Sequence, residues 1–180
     1  MLENHKSDFR KSCIKKLKFV SRFTKCYKDK KIVDEIYKTI CELKKKNVLL
    51  YIPLDLEVDI YPLIKRLRRE KKVQVFVPYM EGLSFKVVKY RLPLKTKKFG
   101  IKEPNNSFAN VKIDLAIVPV VGIDGLNKRI GFGKGMYDRF FYKLKYKPTI
   151  LFTQRKLCKT SKILSNNYDI QADIIISSKR

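Results

Sequence analysis

Residues 114–142 read DLAIVPVVGIDGLNKRIGFGKGMYDRFFY, and the order of features in them decides the fold. Residues 115–121 form an apolar run rich in Val and Ile, the length and composition of a strand buried on both faces. A polar turn follows at Asp124-Gly125 and Asn127-Lys128. Next come Arg129-Ile130 and three glycines at alternate positions, Gly131, Gly133 and Gly135, with Lys134 between the last two. Tyr137, Asp138 and Arg139 open an aromatic, amphipathic segment expected to be a helix. A strand, glycine loop and helix in this order let backbone amides approach a polyphosphate, and the helix N-terminus adds partial positive charge. Lys134 and Arg129 can supply counter-charge, and Asp138 can bind a metal ion that bridges phosphates. The loop has neither G-x-x-x-x-G-K-[ST] nor G-x-G-x-x-G spacing, so a plain connecting turn accounts for it equally well on physics alone.

Composition narrows the classes. A chain of 180 residues with 44% hydrophobic content is expected to fold as one domain, residues 1–180, around a sizeable core. No stretch reaches the apolar length of a membrane span, and no apolar signal segment follows the N-terminal residues, so a cytoplasmic protein is the expectation; a monomer is expected as well. Cys13, Cys26, Cys41 and Cys158 form no C-x-x-C pair, and His5 is the single histidine. Neither a zinc site nor a disulfide is expected. The net charge of +25 suits anionic partners, either nucleic acid or small anions. Its lysines are spread over nearly every segment, as on a solvated surface, so a dedicated nucleic-acid role ranks below a small-anion enzyme.

Around the central stretch, helices alternate with short strands. Residues 6–21 form a basic helix with Phe9, Cys13, Leu17 and Val20 at helical spacing. Residues 31–46 form a second helix, with Asn47 as its stop. Strands are expected at 48–52, ended by Pro53, at 73–77, ended by Pro78, and at 83–90. Asp59 is placed to cap a helix over 61–71 with Pro62 in its first turn. A further strand is expected at 149–152, and a terminal strand after the turn at Asp169. The fold class is therefore α/β, three layers (α/β/α), with a mainly parallel sheet.

Residues 129–139, R-I-G-F-G-K-G-M-Y-D-R, resemble the signature R-L-G-x-G-x-G-Y-Y-D-R of the 5-formyltetrahydrofolate cyclo-ligase (methenyltetrahydrofolate synthetase) family. Ile130 replaces Leu, and Met136 replaces the first Tyr, which removes a phenol. K-S-D-F-R at 6–10 is similar to the family's opening K-x-x-L-R, whose Lys and Arg contact ATP. Glu57 matches the acidic residue of the E-[IV]-[DE]-T segment that contacts the folate, with Ile60 in place of Thr, and Ile52 matches an apolar substrate-site position. Residues 99–104 resemble the F-G-I-x-E-P turn, read as structural, and Gln154 fits a position after the strand. The closing Y-D-I-Q-A-D-I-I-I resembles H-D-x-x-x-D-x-[IV]-[IV], with Tyr168 for His and Asp169 at the magnesium-holding position.

The resemblance implies an ATP-dependent ligase that closes 5-formyltetrahydrofolate to 5,10-methenyltetrahydrofolate, with ADP and phosphate released. It implies ATP contacts at Lys6, Arg10, Arg129, Ile130, Gly131, Phe132, Gly133, Lys134, Gly135, Met136 and Tyr137. The reduced folate, with or without a polyglutamate tail, would meet Ile52, Glu57, Phe132, Gly133, Lys134, Gly135 and Met136. Lys134 and Arg129 would stabilise phosphoryl charge, and Asp138 and Asp169 would hold Mg2+. Such chemistry needs positioning and charge stabilisation rather than a covalent nucleophile, which suits a chain without a His or Cys constellation. The rivals are a catalytically degenerate homologue and a basic nucleic-acid-binding protein. The latter needs aromatics on an exposed basic face, whereas Phe76 and Phe140 fall at core-type positions.

Overall fold

The computed structural model describes residues 2–96, 102–105 and 110–178. The chain begins with α1 (Leu2–Leu43), followed by β1 (Asn47–Leu49), α2 (Tyr61–Glu70), β2 (Gln74–Glu81) and β3 (Ser84–Lys89). Two short pairs come next: β4 (Lys95–Thr96) with β5 (Lys102–Glu103), and, after β6 (Leu115–Pro119), β7 (Gly122–Ile123) with β8 (Arg129–Ile130). Then α3 (Met136–Tyr142), β9 (Thr149–Gln154) and β10 (Ile174–Ser177) complete the order.

The main sheet runs β10-β9-β6-β1-β2-β3. All its pairings are parallel except β2 with β3, so the α/β class and the mainly parallel sheet hold. Alternation along each strand sorts the core into two layers. Val48, Val75, Val77, Leu115, Ile117 and Leu151 pack under α2 and the second half of α1. Leu49, Phe76, Ala116, Val118, Ile150 and Phe152 face the other way, toward Phe141 of α3. Both faces are covered, which is why these strands read as unbroken apolar runs.

Several boundaries differ from the sequence expectation. The two N-terminal helices are one helix of 42 residues with a kink at Thr24, whose φ of −131° is non-helical. Residues 22–30 contain no Gly or Pro to stop it, and Ser21 Oγ and Thr24 Oγ1 donate to the carbonyls of Leu17 and Val20, a back-bonding that bends helices. The helix ends at Leu43, with Lys44 at φ 50°, and Asn47 belongs to β1. β2 continues past Pro78, because beyond Phe76 it has left β1 and has only β3 beside it. The helix N-cap is Ile60, one residue after Asp59, although Asp59 Oδ1 still accepts the Tyr61 N–H at 3.0 Å. Of the predicted 99–104 turn, residues 99–101 lie outside the described residues.

The expectation of no disulfide is also corrected. Cys13 and Cys158 are bonded (S–S 2.07 Å) across 145 residues. The apolar face of α1 packs on the segment after β9, with Val121 beside the sulfurs and Phe9 closing the cluster. No short cysteine spacing could announce a contact that only the tertiary fold makes. Cys26 and Cys41 are free and exposed. Thiol titration of the denatured, unreduced protein is thus expected to count two reactive groups; a count of four would show Cys13 and Cys158 reduced.

Candidate active site

The carboxyl ends of β1, β2, β6 and β9 all open on one edge of the sheet, the edge where ligands bind in open α/β folds. Beyond β1 the chain supplies Tyr51, Ile52, Leu54 and Glu57, and the end of β2 adds Pro78 and Met80. Beyond β6, the β7–β8 hairpin delivers Arg129 and then the glycine loop, with Phe132, Lys134, Gly135, Met136 and Tyr137. Together these residues line a cavity of about 170 Å³, mostly apolar, with Phe85 of β3 at its side. A second cavity of about 550 Å³ adjoins it and shares Ile52, Leu54, Lys102 and Phe132.

Glu57 is the polar group of this cavity. Its Oε2 accepts the Leu54 N–H at 2.9 Å, and its other oxygen has no hydrogen-bond partner among the described residues. Burial pushes its carboxyl up to about 7, with the Leu54 bond and the nearby Arg129 guanidinium working against the rise. The phenols of buried Tyr51 and half-buried Tyr137 are raised above their ordinary range by the same loss of water. A half-buried carboxylate on an aromatic and thioether lining suits a flat heterocycle with a guanidine-like edge, which offers paired N–H donors.

Arg129 is buried beneath the loop. Its Nε donates to Pro119 O at 3.1 Å, its Nη1 meets Asp138 Oδ2 at 3.3 Å, and its guanidinium sits 4.9 Å from the Tyr137 ring centre. The loop folds closely over it: a Cβ on Gly131 would come within 2.4 Å of the Arg129 Nη1. Gly133 has φ +102°, a conformation that an L side chain rarely adopts. The amides of residues 131–135 donate no hydrogen bond among the described residues, so they are available to an anion. α3 has only seven residues, so its dipole adds little to the loop.

On the far side of the loop lies a third cavity of about 300 Å³, lined by Gly135, Asp138, Arg139, Tyr142, Tyr168 and Asp169 among others. Gly135 borders both this cavity and the Glu57 cavity. Asp138 Oδ1 accepts the Ile170 N–H at 3.3 Å. Asp169 Oδ2 accepts from Lys6 Nζ at 2.5 Å and from the Asn166 N–H at 2.9 Å, while its Oδ1 has no partner among the described residues. Two carboxylates on one cavity suit a hard cation such as magnesium, which takes few protein carboxylates and completes its shell with phosphate and water. Among the described residues no third His, Cys, Asp or Glu joins them.

The fold therefore gathers Ile52, Glu57, Arg129, Phe132, Lys134, Gly135, Met136 and Tyr137 around one cavity and Asp138 with Asp169 around another. Lys6 reaches the second through Asp169, and Arg10 Nε donates to Gly131 O at 2.8 Å. Ile130 is fully buried and its carbonyl accepts the Val121 N–H at 2.8 Å, so the expected ATP contact at this position is not borne out: the residue packs beneath the loop. Gln154 braces the interior, donating to Val121 O and accepting the Cys158 N–H.

Sequence reasoning passed over Tyr51, Met80, Phe85 and Lys102 of the lining. The strand-end prolines, Pro53 and Pro78, were a usable signal for the first three, since each lies near the point where a strand meets the ligand edge. It also missed Arg155. This fully buried guanidinium pairs with Asp29 through Nε–Oδ1 at 2.7 Å and Nη2–Oδ2 at 2.9 Å, and donates to the carbonyls of Leu56 and Glu57. One arginine after an apolar strand carries no local mark that separates it from a surface arginine.

A family model described as the 5-formyltetrahydrofolate cyclo-ligase family matches residues 2–177. The chain belongs to the 5-formyltetrahydrofolate cyclo-ligase family. It is 26% identical over 178 residues to the Mycoplasma pneumoniae 5-formyltetrahydrofolate cyclo-ligase, covering 97% of this chain and 99% of that one. The Escherichia coli cyclo-ligase is 31% identical over 102 residues, 52% of this chain and 56% of its own. The solved structure of the Aquifex aeolicus 5,10-methenyltetrahydrofolate synthetase superposes with a TM-score of 0.79 at 28% identity, over 97% of this chain and 90% of that one. The cyclo-ligase match thus covers the glycine loop, both aspartates and Glu57.

Asp29→Ala would leave the Arg155 charge buried and unpaired. It is expected to lower unfolding stability by about 3–5 kcal/mol, read from the denaturant midpoint. A loss under about 1 kcal/mol would instead assign the pair the modest worth of a surface ion pair.

Proposed function

We propose that the protein closes 5-formyltetrahydrofolate to 5,10-methenyltetrahydrofolate at the expense of ATP, releasing ADP and phosphate. The observation that carries this reading is the shared wall. A glycine loop with free amides separates a Glu57-floored apolar cavity from a cavity bordered by two carboxylates, and Gly135 belongs to both. A heterocycle on one side and a polyphosphate on the other meet across that loop.

In the proposed chemistry the formyl oxygen attacks the terminal phosphorus of ATP and ADP departs. The neighbouring folate nitrogen then attacks the formyl carbon and loses its proton, and the carbon–oxygen bond breaks with release of phosphate. Both reacting groups of the second step belong to one substrate, so the protein's work is positioning and charge stabilisation. Lys134, exposed and lining the folate-side cavity, stabilises charge on the moving phosphoryl group. Arg129, locked by Pro119 and Asp138, holds the loop and adds a fixed positive charge beneath it. The loop amides from Gly131 to Gly135 and the Met136–Tyr137 backbone cradle phosphates, with Arg10 and Lys6 alongside. Lys6 would exchange its bond to Asp169 for a phosphate oxygen. Asp138 and Asp169 would hold magnesium, which supplies neutralisation of phosphate charge. Glu57 receives the guanidine-like edge of the pterin, while Ile52, Phe132 and Met136 enclose its faces.

The deciding assay follows methenyltetrahydrofolate absorbance with 5-formyltetrahydrofolate, ATP and magnesium. Product is expected only when all three are present, and folded protein that forms none would overturn the reading. In the same assay Lys134→Ala is expected to lower kcat/KM by about a hundredfold, without change in the thermal melt because the side chain is exposed. Because burial pushes the Glu57 carboxyl up to about 7, kcat/KM for the folate should rise with pH through that value as the carboxylate forms. Glu57→Gln should lower kcat/KM and flatten this limb; an unchanged limb would assign the titration to another group.

A further inference from the structure

The outer face of α1 has a chemistry that the cavities do not use. Phe19, Phe23 and Tyr27 follow one another at four-residue spacing and are 67%, 73% and 62% exposed. Rings of this size normally go inside, as Phe76 and Phe152 do here. Phe19 and Phe23 touch, with ring centres 5.4 Å apart and planes at 59°, and Tyr27 follows across the kink with Lys31 Nζ 4.4 Å above its ring. Around them Lys15, Lys16, Lys18, Arg22 and Lys30 are exposed. The one acidic residue between positions 11 and 31 is Asp29, which is buried and paired with Arg155. Cations and open π-faces thus occupy one stretch of helix with no exposed carboxylate among them.

We propose that this face binds single-stranded nucleic acid without sequence preference, bases stacking on Phe19, Phe23 and Tyr27 and phosphates lying against the flanking lysines and Arg22. Exposed aromatics set among basic side chains are what a single-strand platform requires, because every base has a π-face and every linkage a negative charge. Other occupants fit less well. A second copy would bring like charges together over the same rings. A lipid surface needs a broad apolar stripe to bury, but the large apolar side chains exposed on α1 are these three rings alone among the described residues. Lys16 and Lys30 lie close to the line of the rings, so insertion would bury their charges. A duplex keeps its bases stacked inside and leaves the rings no partner. None of the three rings lines the folate-side or aspartate cavity, so the proposal does not depend on the cyclo-ligase reading.

The test is a fluorescence-anisotropy titration of labelled single-stranded RNA and DNA, a duplex of equal length, and phosphatidylserine-containing vesicles. It compares the unaltered protein with a Phe19→Ala/Phe23→Ala/Tyr27→Ala variant whose thermal melt verifies folding. Phe23→Ala alone repeats the test at smaller amplitude should the triple variant fail to fold. The expected result is tighter binding to single strands than to duplex, weakening with salt, and a loss of about tenfold or more on removing the rings. Equal affinity for variant and parent would overturn the proposal in favour of general attraction to a +25 surface. Preference for the duplex, or binding to vesicles without binding to single strands, would overturn it as well.

Discussion

Arg155 has no contact with solvent, and three parts of the chain meet on it. Its guanidinium takes both oxygens of Asp29 from α1, Ser21 Oγ one kink earlier, and the Leu56 and Glu57 carbonyls from the loop after β1. Asp29 in turn accepts the Asp59 N–H at 3.0 Å. Two buried charges are costly unless every donor is satisfied, and here the Asp29 carboxylate, the Ser21 hydroxyl and two backbone carbonyls supply that satisfaction. The carbonyl of the residue that supplies the cavity carboxylate is one of those acceptors. Rigidity at the cavity floor and the packing of α1 against the sheet are thus one constraint.

The first half of α1 is held differently. Cys13 is bonded to Cys158, Arg10 reaches Gly131 O, and Lys6 reaches Asp169. Close packing requires a bare backbone opposite it: a Cβ on Gly122 would come within 2.8 Å of the Phe9 ring. Asp124, fully buried, performs a similar service for the C-terminal segment. Burial works to raise its carboxyl, but the Ser165 hydroxyl and the backbone N–H groups of Lys128, Leu164 and Leu126 outweigh that and hold it low. It therefore stays ionised and pins the 124–128 turn to the strand of chain that carries Asp169.

What the sequence made legible was local. Apolar runs marked β1, β2, β6 and β9 because both faces of each are covered, and alternate glycines marked the loop because its backbone geometry and its closeness to Arg129 depend on neighbours within a few residues. The pairing of Glu57 with the loop was reached through family resemblance rather than spacing. What stayed hidden were contacts between distant positions: Arg155 with Asp29, 126 residues apart, Lys6 with Asp169, 163 apart, and Cys13 with Cys158. The exposed rings of α1 were hidden for another reason. Helical spacing shows that Phe19, Phe23 and Tyr27 share a side, but the packing of Cys13, Leu17 and Val20 decides which side faces water.

The residue shared by the two cavities has a kinetic meaning. The Glu57 cavity and the aspartate cavity each open to solvent, and Gly135 lines both. A molecule settled in one does not have to pass through the other to leave. In the proposed reaction, two reactants seated in these two cavities would arrive in either sequence, and neither product would be trapped behind its companion.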